Sequence, residues 1–218
     1  MFRQNGACGS ATVALEIERR FLVTGGAWRR HSLGERSLRQ GYLVSGSDGL
    51  ILRVRISEPI RGEVEGAGEP AQAWLTLKAP PPFGPGASPA SDPGCLFPAA
   101  AAPAVPTVPP PLALSRLEFE YAIPLADGED LLALSSARVL KRRHGLDLPG
   151  GDWVLDVFLT ENAPLVVAEV ELSSADQVVV VPPWCGRELT GRHDLSNAAL
   201  ALRPLAQWSE AERRELFG

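Results

Sequence analysis

Charged residues recur at every second position in five short stretches of this chain, at 16–20, 53–55, 118–120, 141–143 and 169–171. In a β-strand, residues i, i+2 and i+4 lie on one face, so each stretch would present charges on one side and apolar groups on the other. Some of these charged faces are acidic and others basic. If they converge on one cavity, that cavity would bind a polyanion on its cations and a divalent metal on its carboxylates.

This mixture of charges suits a triphosphate. The planar fork of an arginine can contact two phosphate oxygens at once. Carboxylate oxygens are the ligands that Mg²⁺ and Mn²⁺ prefer, whereas carboxylates crowded together without a metal repel each other and have raised pKa values. A single pair of like charges is usually a solvated strand face of little energetic value. The joint occurrence of several such pairs therefore carries the argument.

The apolar periodicity predicts a mainly antiparallel α+β fold. Short alternating segments joined by turns are typical of strands, and eight of them can close into a barrel whose interior holds one small ligand. The predicted strands are 14–23, 38–45, 50–57, 73–78, 116–123, 138–144, 152–159, 165–172 and 177–181. With the charges inside an eight-stranded closed barrel, the apolar faces point outward. Helices predicted at 127–136, 196–203 and 209–217 would cover them.

The domain organisation follows from composition. Residues 1–13 predict a flexible leader, and 14–218 predict one domain. Residues 79–114 contain twelve prolines and only one charged residue, Asp92. Because proline removes backbone donors and fixes φ, we expect this segment to be a disordered insertion between two strands. It would be either a solvated insert without a role or a tether for a partner.

Composition also narrows the class of protein. The net charge of −5 argues against a broad nucleic-acid-binding face, and no apolar run is long enough to span a bilayer. The three cysteines, Cys8, Cys95 and Cys185, are far apart, which favours the reducing cytoplasm. The sequence contains no glycine-rich phosphate loop, and no serine or cysteine is placed beside a base.

Several ordered motifs together resemble the CYTH domain of the triphosphate tunnel metalloenzymes. The first is the Glu-x-Glu pattern at 16–18, followed by Arg20. The resemblance continues through 40–43, 53–56, 76–78, 116–121, 141–143, 156–158, 168–172, 188–190 and 196–197. It covers residues 14–204 apart from the insertion, so it rests on far more than the first motif.

The resemblance implies two sets of side chains in a charged tunnel. The metal-facing set, with Mg²⁺ or Mn²⁺ as cofactor, is Glu16, Glu18, Glu118, Glu120, Asp156, Glu169 and Glu171. The phosphate-binding set is Arg20, Arg53, Arg55, Lys78, Lys141 and Arg143. The catalytic pair is Glu16 and Glu18, one of which would act as general base.

Two positions depart from the family pattern. The family usually has lysine where this chain has Arg20, and an arginine there is permanently charged and bulkier. Members often carry Arg-Tyr before Ser-Asn, where this chain has Asp194 and Leu195. Arg192 precedes them as a candidate replacement for the missing cation, and His193 is expected to be a surface residue.

These observations predict a cytoplasmic, metal-dependent phosphohydrolase that converts inorganic tripolyphosphate to phosphate and pyrophosphate. Within the family, the alternatives are a class IV-type adenylyl cyclase and a thiamine or nucleoside triphosphatase. Outside enzymes, the alternative is a module that binds triphosphate or polyphosphate without turnover. The expected partner is the small triphosphate, with no nucleic acid and no membrane, and a homodimer is the candidate assembly.

Overall fold

The computed structural model describes residues 17–46, 49–60, 70–79, 117–174 and 177–218. The predicted leader lies outside these residues, as does the predicted insertion except for Ala79, which ends a strand. All statements below concern the described parts of the chain.

Nine strands and three α-helices make up the fold. The strands are β1 (Ile17–Val23), β2 (Ser32–Ser45), β3 (Ile51–Pro59), β4 (Gln72–Ala79), β5 (Leu117–Ile123), β6 (Ala137–Leu146), β7 (Asp152–Phe158), β8 (Val166–Leu172) and β9 (Cys185–Glu188). The helices are α1 (Leu125–Leu134), α2 (Asn197–Leu202) and α3 (Glu210–Phe217). Short 3₁₀ helices occupy Ala27–His31, Thr160–Asn162, His193–Leu195 and Leu205–Gln207.

The strands form one antiparallel sheet in the order β5-β4-β3-β2-β6-β7-β8-β1-β9. The predicted antiparallel α+β class is therefore confirmed. Among the described strands, β5 and β9 are the two edges and no ladder joins them. The prediction of a closed eight-stranded barrel is thus not confirmed. The free side of β1 pairs with β9, whereas closure would need a ladder between β1 and β5.

Two strand predictions differ from the structure. The valine-rich segment 177–181 is not a strand, although Val179 and Val181 pack on the core while Val178 and Val180 are exposed. Its side chains alternate as in a strand, but its backbone forms no ladder. The four-residue β9 was not predicted, because its sequence lacks an apolar alternation.

The outer face of the sheet carries two apolar clusters. Phe21, Trp153 and Val170 pack with Trp28 and Trp184, which come from the segments that follow β1 and precede β9. On the other half of the sheet, α1 covers β3 and β4 through a cluster of Val54, Ile56, Ala73 and Leu132. The predicted covering role is therefore confirmed for the first helix.

Helices α2 and α3 pack on the inner face instead, against the expectation that they cover the outside. Leu200 of α2 and Leu216 of α3 belong to one buried cluster with Leu22, Val139 and Phe158. These three strand residues lie two positions from Arg20, Lys141 and Asp156, so they share the inner face with them. The C-terminal helices thus fill one end of the concave side of the sheet.

Side-chain caps fix the start of both C-terminal helices. The Ser196 hydroxyl accepts a hydrogen bond from the amide of Ala199 at the start of α2. Ser209 and Glu212 form the capping box that the sequence predicts for α3. No helix in the described segments has the length and apolar character needed to cross a membrane.

We expect the substitution Gly128→Ala to destabilise the protein, although alanine is the better helix former by about 1 kcal/mol. A Cβ atom at Gly128 would lie 2.6 Å from the Cβ of Ala73 on β4, so α1 would have to move off the sheet. Urea unfolding should show a net loss of about 1–2 kcal/mol, in the range of other overpacked cores. The compensating variant Gly128→Ala/Ala73→Gly should recover most of it. A more stable single variant would contradict the close approach of helix and sheet.

Candidate active site

One face of the sheet collects the predicted charges. Cross-strand pairs place Arg20 opposite Glu169, and Arg143 opposite Asp156. Following the pairs across the sheet places twelve of the thirteen predicted residues on this inner face: Glu18, Arg20, Arg53, Arg55, Lys78, Glu118, Glu120, Lys141, Arg143, Asp156, Glu169 and Glu171. Glu16 lies outside the described residues. The alternation read from the sequence therefore gives the correct face for every residue that the structure describes.

Asp156 is the buried centre of the wall formed by β6, β7, β8 and β1. Its carboxylate accepts hydrogen bonds from Lys141 Nζ at 2.5 Å and from Arg143 Nε and Nη2 at 2.7 Å each. Burial alone would raise the pKa of Asp156, but the charges of Arg143 and Lys141 outweigh it and hold that pKa well below its usual range. Burial lowers the pKa of Lys141 to about 8 despite the neighbouring carboxylate.

The same wall continues through Glu169 to Arg20. Glu169 accepts hydrogen bonds from Arg20 Nε at 3.0 Å and from Arg143 Nη2 at 2.9 Å. Arg20 also donates to the backbone carbonyl of Leu195 at 3.2 Å, and Lys141 donates to Oδ1 of Asn197 at 3.0 Å. Two of the cations are therefore held by the segment that leads into α2.

The opposite wall is built by β3, β4 and β5. Glu120 accepts hydrogen bonds from Arg55 at 2.9 Å and Arg53 at 3.3 Å, and Lys78 donates to Glu118 at 2.7 Å. Thr76, which is fully buried, donates to Glu120 at 2.8 Å and accepts a hydrogen bond from Arg53. The guanidinium of Arg55 lies 5.0 Å from the centre of the Trp74 ring, which supports its position by a cation–π contact.

The two walls face each other because the sheet curls. Glu18 on β1 and Lys78 on β4 are six strand spacings apart in sheet order, which would be about 29 Å in a flat sheet. At that separation their charges would be screened by salt. The charge of Lys78 nevertheless lowers the pKa of Glu18, as do those of Arg20 and Arg143. The inner face is therefore concave, and its charges share one cavity.

Glu18 lies at the exposed end of this cavity. Its cross-strand partner is Glu171, and Glu169 follows two positions along the same face. The pKa of Glu18 is raised, first by loss of hydration and then by the negative charge of Glu169, and the nearby cations only partly offset this. The side chain is exposed to the cavity, but the surrounding walls replace part of its hydration shell. An uncompensated carboxylate of this kind attracts a cation.

Comparison with known proteins identifies relatives of this chain. No family model matches the chain. A protein of Acetivibrio thermocellus named inorganic triphosphatase is 30% identical over 197 residues, which are 89% of this chain and 98% of that protein. A second inorganic triphosphatase, from Nitrosomonas europaea, is 32% identical over 191 residues, covering 86% and 97%. This chain belongs to the inorganic triphosphatase family.

A solved structure agrees with this assignment. The crystal structure of the inorganic triphosphatase NE1496 matches with a TM-score of 0.53 and 29% identity, over 88% of this chain and 97% of that one. As an inorganic triphosphatase family member, the chain thus shares both sequence and fold with its relatives over nearly their whole length.

Four of the seven carboxylates that were predicted to face a metal are paired with cations in the structure. Glu118, Glu120, Asp156 and Glu169 are all hydrogen-bonded to arginine or lysine, so they act as counter-ions. Among the described residues, no group of three or more acidic, histidine or cysteine side chains is arranged to hold a metal ion. Mg²⁺ is commonly held by only one or two carboxylates together with substrate phosphates, and Glu18 with Glu171 provides such a pair.

The sequence did not predict a role for some polar residues on or beside the charged inner face. Gln40 and the Leu195 carbonyl are buried polar groups on or beside the inner face, and Asn197 is half-buried there. Gln40 accepts a hydrogen bond from the Tyr42 hydroxyl at 3.4 Å. Burial raises the pKa of Tyr42 to about 12. A single uncharged polar residue carries no periodic signal, so only the fold reveals its partner.

Arg192 does not join the charged face of the triphosphatase site. It pairs instead with Asp194 at 2.8 Å and with Glu215 of α3 at 3.3 Å, where all three side chains are partly exposed. His193 is exposed, as expected from the sequence. Of the two positions that depart from the family pattern near the C-terminus, Asp194 therefore forms a surface ion pair with Arg192, whereas Leu195 is fully buried.

Proposed function

We propose that this protein hydrolyses inorganic tripolyphosphate to phosphate and pyrophosphate, with Mg²⁺ or Mn²⁺ as cofactor. The observation that carries the proposal is the convergence of six cations from β1, β3, β4 and β6 on one concave face. The names of the two relatives that cover almost the whole chain support the same substrate.

The arginines of β3 are suited to bind the phosphate groups. Arg53 and Arg55 each have a buried Nε atom without a hydrogen-bond partner among the described residues. A buried donor that is left unpaired costs free energy, and a phosphate oxygen would satisfy it. Burial and the charge of Arg53 lower the pKa of Arg55, so an added anion beside it would be stabilising.

The charge balance supports the need for a divalent cation. The six predicted cations face six described carboxylates, so the set is neutral before substrate binds. A triphosphate adds several negative charges, and burying them requires further positive charge. A divalent metal bound by Glu18 and Glu171 with the phosphates would neutralise the charge that develops on the leaving oxygen.

The protein side chains have three roles in this mechanism. Arg53, Arg55 and Lys78 on one wall hold the chain against Arg20 and Arg143 on the other, so the reacting atoms are aligned for in-line attack. Glu18, at the exposed mouth of the cavity where water has access, accepts the proton of the attacking water as general base. Glu16, outside the described residues, remains the second predicted catalytic carboxylate.

Further properties belong to the same proposal. The curled sheet works as a closed barrel of the CYTH type, and the approach of Glu18 to Lys78 supports this. The enzyme acts in the cytoplasm, and its free thiol at Cys185 is compatible with a reducing compartment. It acts on a small molecule, as a homodimer, without nucleic acid or membrane partners.

The test is product release from tripolyphosphate and from ATP, side by side, with Mg²⁺, with Mn²⁺ and with EDTA. We expect phosphate and pyrophosphate in equal amounts from tripolyphosphate, a much slower reaction with ATP, and none in EDTA. Cyclic AMP from ATP would instead indicate a cyclase, and faster phosphate release from ATP a nucleoside triphosphatase. Tight binding of tripolyphosphate without any product would indicate a binding module.

A further inference from the structure

The inner face changes from charged to apolar on four adjacent strands, along a line that steps by two residues from β8 to β7 and again from β7 to β6. On β1, β8, β7 and β6 the charged residue is followed, two positions along the inner face, by a buried apolar one. The four pairs are Arg20 and Leu22, Glu169 and Val167, Asp156 and Phe158, and Lys141 and Val139. This stepped line, the apolar level, marks a boundary across half of the cavity.

Exposure falls steadily towards that boundary. On β8, Glu171 is exposed, the Glu169 side chain is 12% exposed and Val167 is fully buried. On β1 the order is exposed Glu18, then buried Arg20 and Leu22. The cavity therefore has a mouth at Glu18 and Glu171, and it narrows towards the apolar level.

The C-terminal segment closes the narrow end. Leu195, Leu200 and Leu205 are fully or almost fully buried in one cluster with Leu22 and Phe158. The segment also contributes the Leu195 carbonyl to Arg20 and the Asn197 amide oxygen to Lys141. It is thus a floor that both packs on the apolar level and holds the two deepest cations.

We propose that the cavity is blind, so that the protein accepts only phosphate chains with a free terminal phosphate, which enters first and stops at this floor. The inference rests on the proposed binding of triphosphate on the charged face. A free terminal phosphate carries more negative charge than an internal one, so it is the group best matched to Arg20 and Lys141, the cations nearest the closed end. A cap on the leading phosphate would have to displace packed leucines.

The test is competition for binding of tripolyphosphate to the intact protein, measured by calorimetry with the wild-type chain. Methyl triphosphate and ATP each have one free end, whereas diadenosine tetraphosphate has none but carries the same charge as ATP near pH 8. We expect at least one of the one-ended compounds to compete. Diadenosine tetraphosphate should compete at least about 30-fold more weakly than that compound, because the blocked end clashes with the floor.

Each other outcome has a definite meaning. Equal competition by ATP and diadenosine tetraphosphate would overturn the inference, because a chain without a free end would then occupy the cavity. Failure of both one-ended compounds would also overturn it, because both ends of the chain would then be enclosed. The experiment measures binding and does not depend on hydrolysis. A protein that binds tripolyphosphate without hydrolysing it would contradict the proposed enzymatic function. The same competition experiment would still decide whether the cavity is blind.

Discussion

The variant Glu18→Gln should lose tripolyphosphate hydrolysis by a factor of about 10²–10⁴, the usual contribution of a general base. Glutamine keeps the size of the side chain but can neither take a proton nor balance a divalent metal. The loss should appear in kcat, because the cations that hold the phosphates are unchanged. Binding of tripolyphosphate without metal should be equal or tighter, since one negative charge at the mouth has been removed. Single-turnover kinetics and calorimetry separate these two effects.

The matched control is Glu188→Gln. Glu188 is also a glutamate beside β1, but it lies outside the cavity and pairs with Arg19 at 2.7 Å on the exposed side. An exposed ion pair contributes at most about 1 kcal/mol, so stability and activity should both change little. Full activity of Glu18→Gln, or an equal loss in both variants, would refute a specific catalytic role for Glu18.

The variant Asp156→Asn should destabilise the fold by about 3–5 kcal/mol, the usual cost of breaking a buried charge pair. Asp156 and Lys141 are both 0% exposed, and without the carboxylate Lys141 would be a buried cation beside Arg143. Urea unfolding at pH 7 gives the difference in free energy of unfolding.

The stabilisation by Asp156 depends on pH. Because the folded-state pKa of Asp156 is depressed, this stabilisation is complete above the unfolded-state pKa of about 3.9 and is lost as pH falls below it. Wild type and variant should therefore converge in acid.

A double variant separates the effect of leaving Lys141 without its carboxylate partner from the effect of changing the Asp156 side chain. In Lys141→Met/Asp156→Leu, both charges are replaced by apolar groups, and such replacements are often neutral or stabilising. We expect this double variant to be more stable than Asp156→Asn and to lack activity. If Asp156→Asn unfolds at the same urea concentration as wild type, the buried ion pair does not stabilise this fold.

The period of two in the charged stretches was enough to predict the face of the site residues that the structure describes. It needs only that each stretch be a strand, and all of those stretches proved to be strands. Which carboxylate meets which cation depends on register between strands that are distant in sequence. Glu120 and Arg55, for example, lie on β5 and β3, which are not adjacent, and meet only because β4 places them on the same face. No local pattern encodes that contact.

The errors in the predicted fold have similar causes. The valines at 178–181 have strand-like alternation, but a strand also needs a partner with free backbone groups, and the sequence does not identify one. The apolar faces of α2 and α3 were correctly recognised as buried. The sequence of an amphipathic helix indicates only that the helix covers an apolar surface. Here that surface is the inner end of the sheet rather than its outside.

The pairing of β1 has a consequence for the order in which the molecule assembles. β1 is the first described strand, yet its only ladders are with β8 and β9, and Arg20 meets Glu169 across 149 residues of chain. At a synthesis rate of about 5–20 residues per second, β1 must remain unpaired for roughly 7–30 s on the ribosome. Contacts of such long range also slow folding. Glu18 and Arg20 are therefore made long before the residues that place them, so a nascent chain has no complete charged face until β8 and the segment before α2 have emerged.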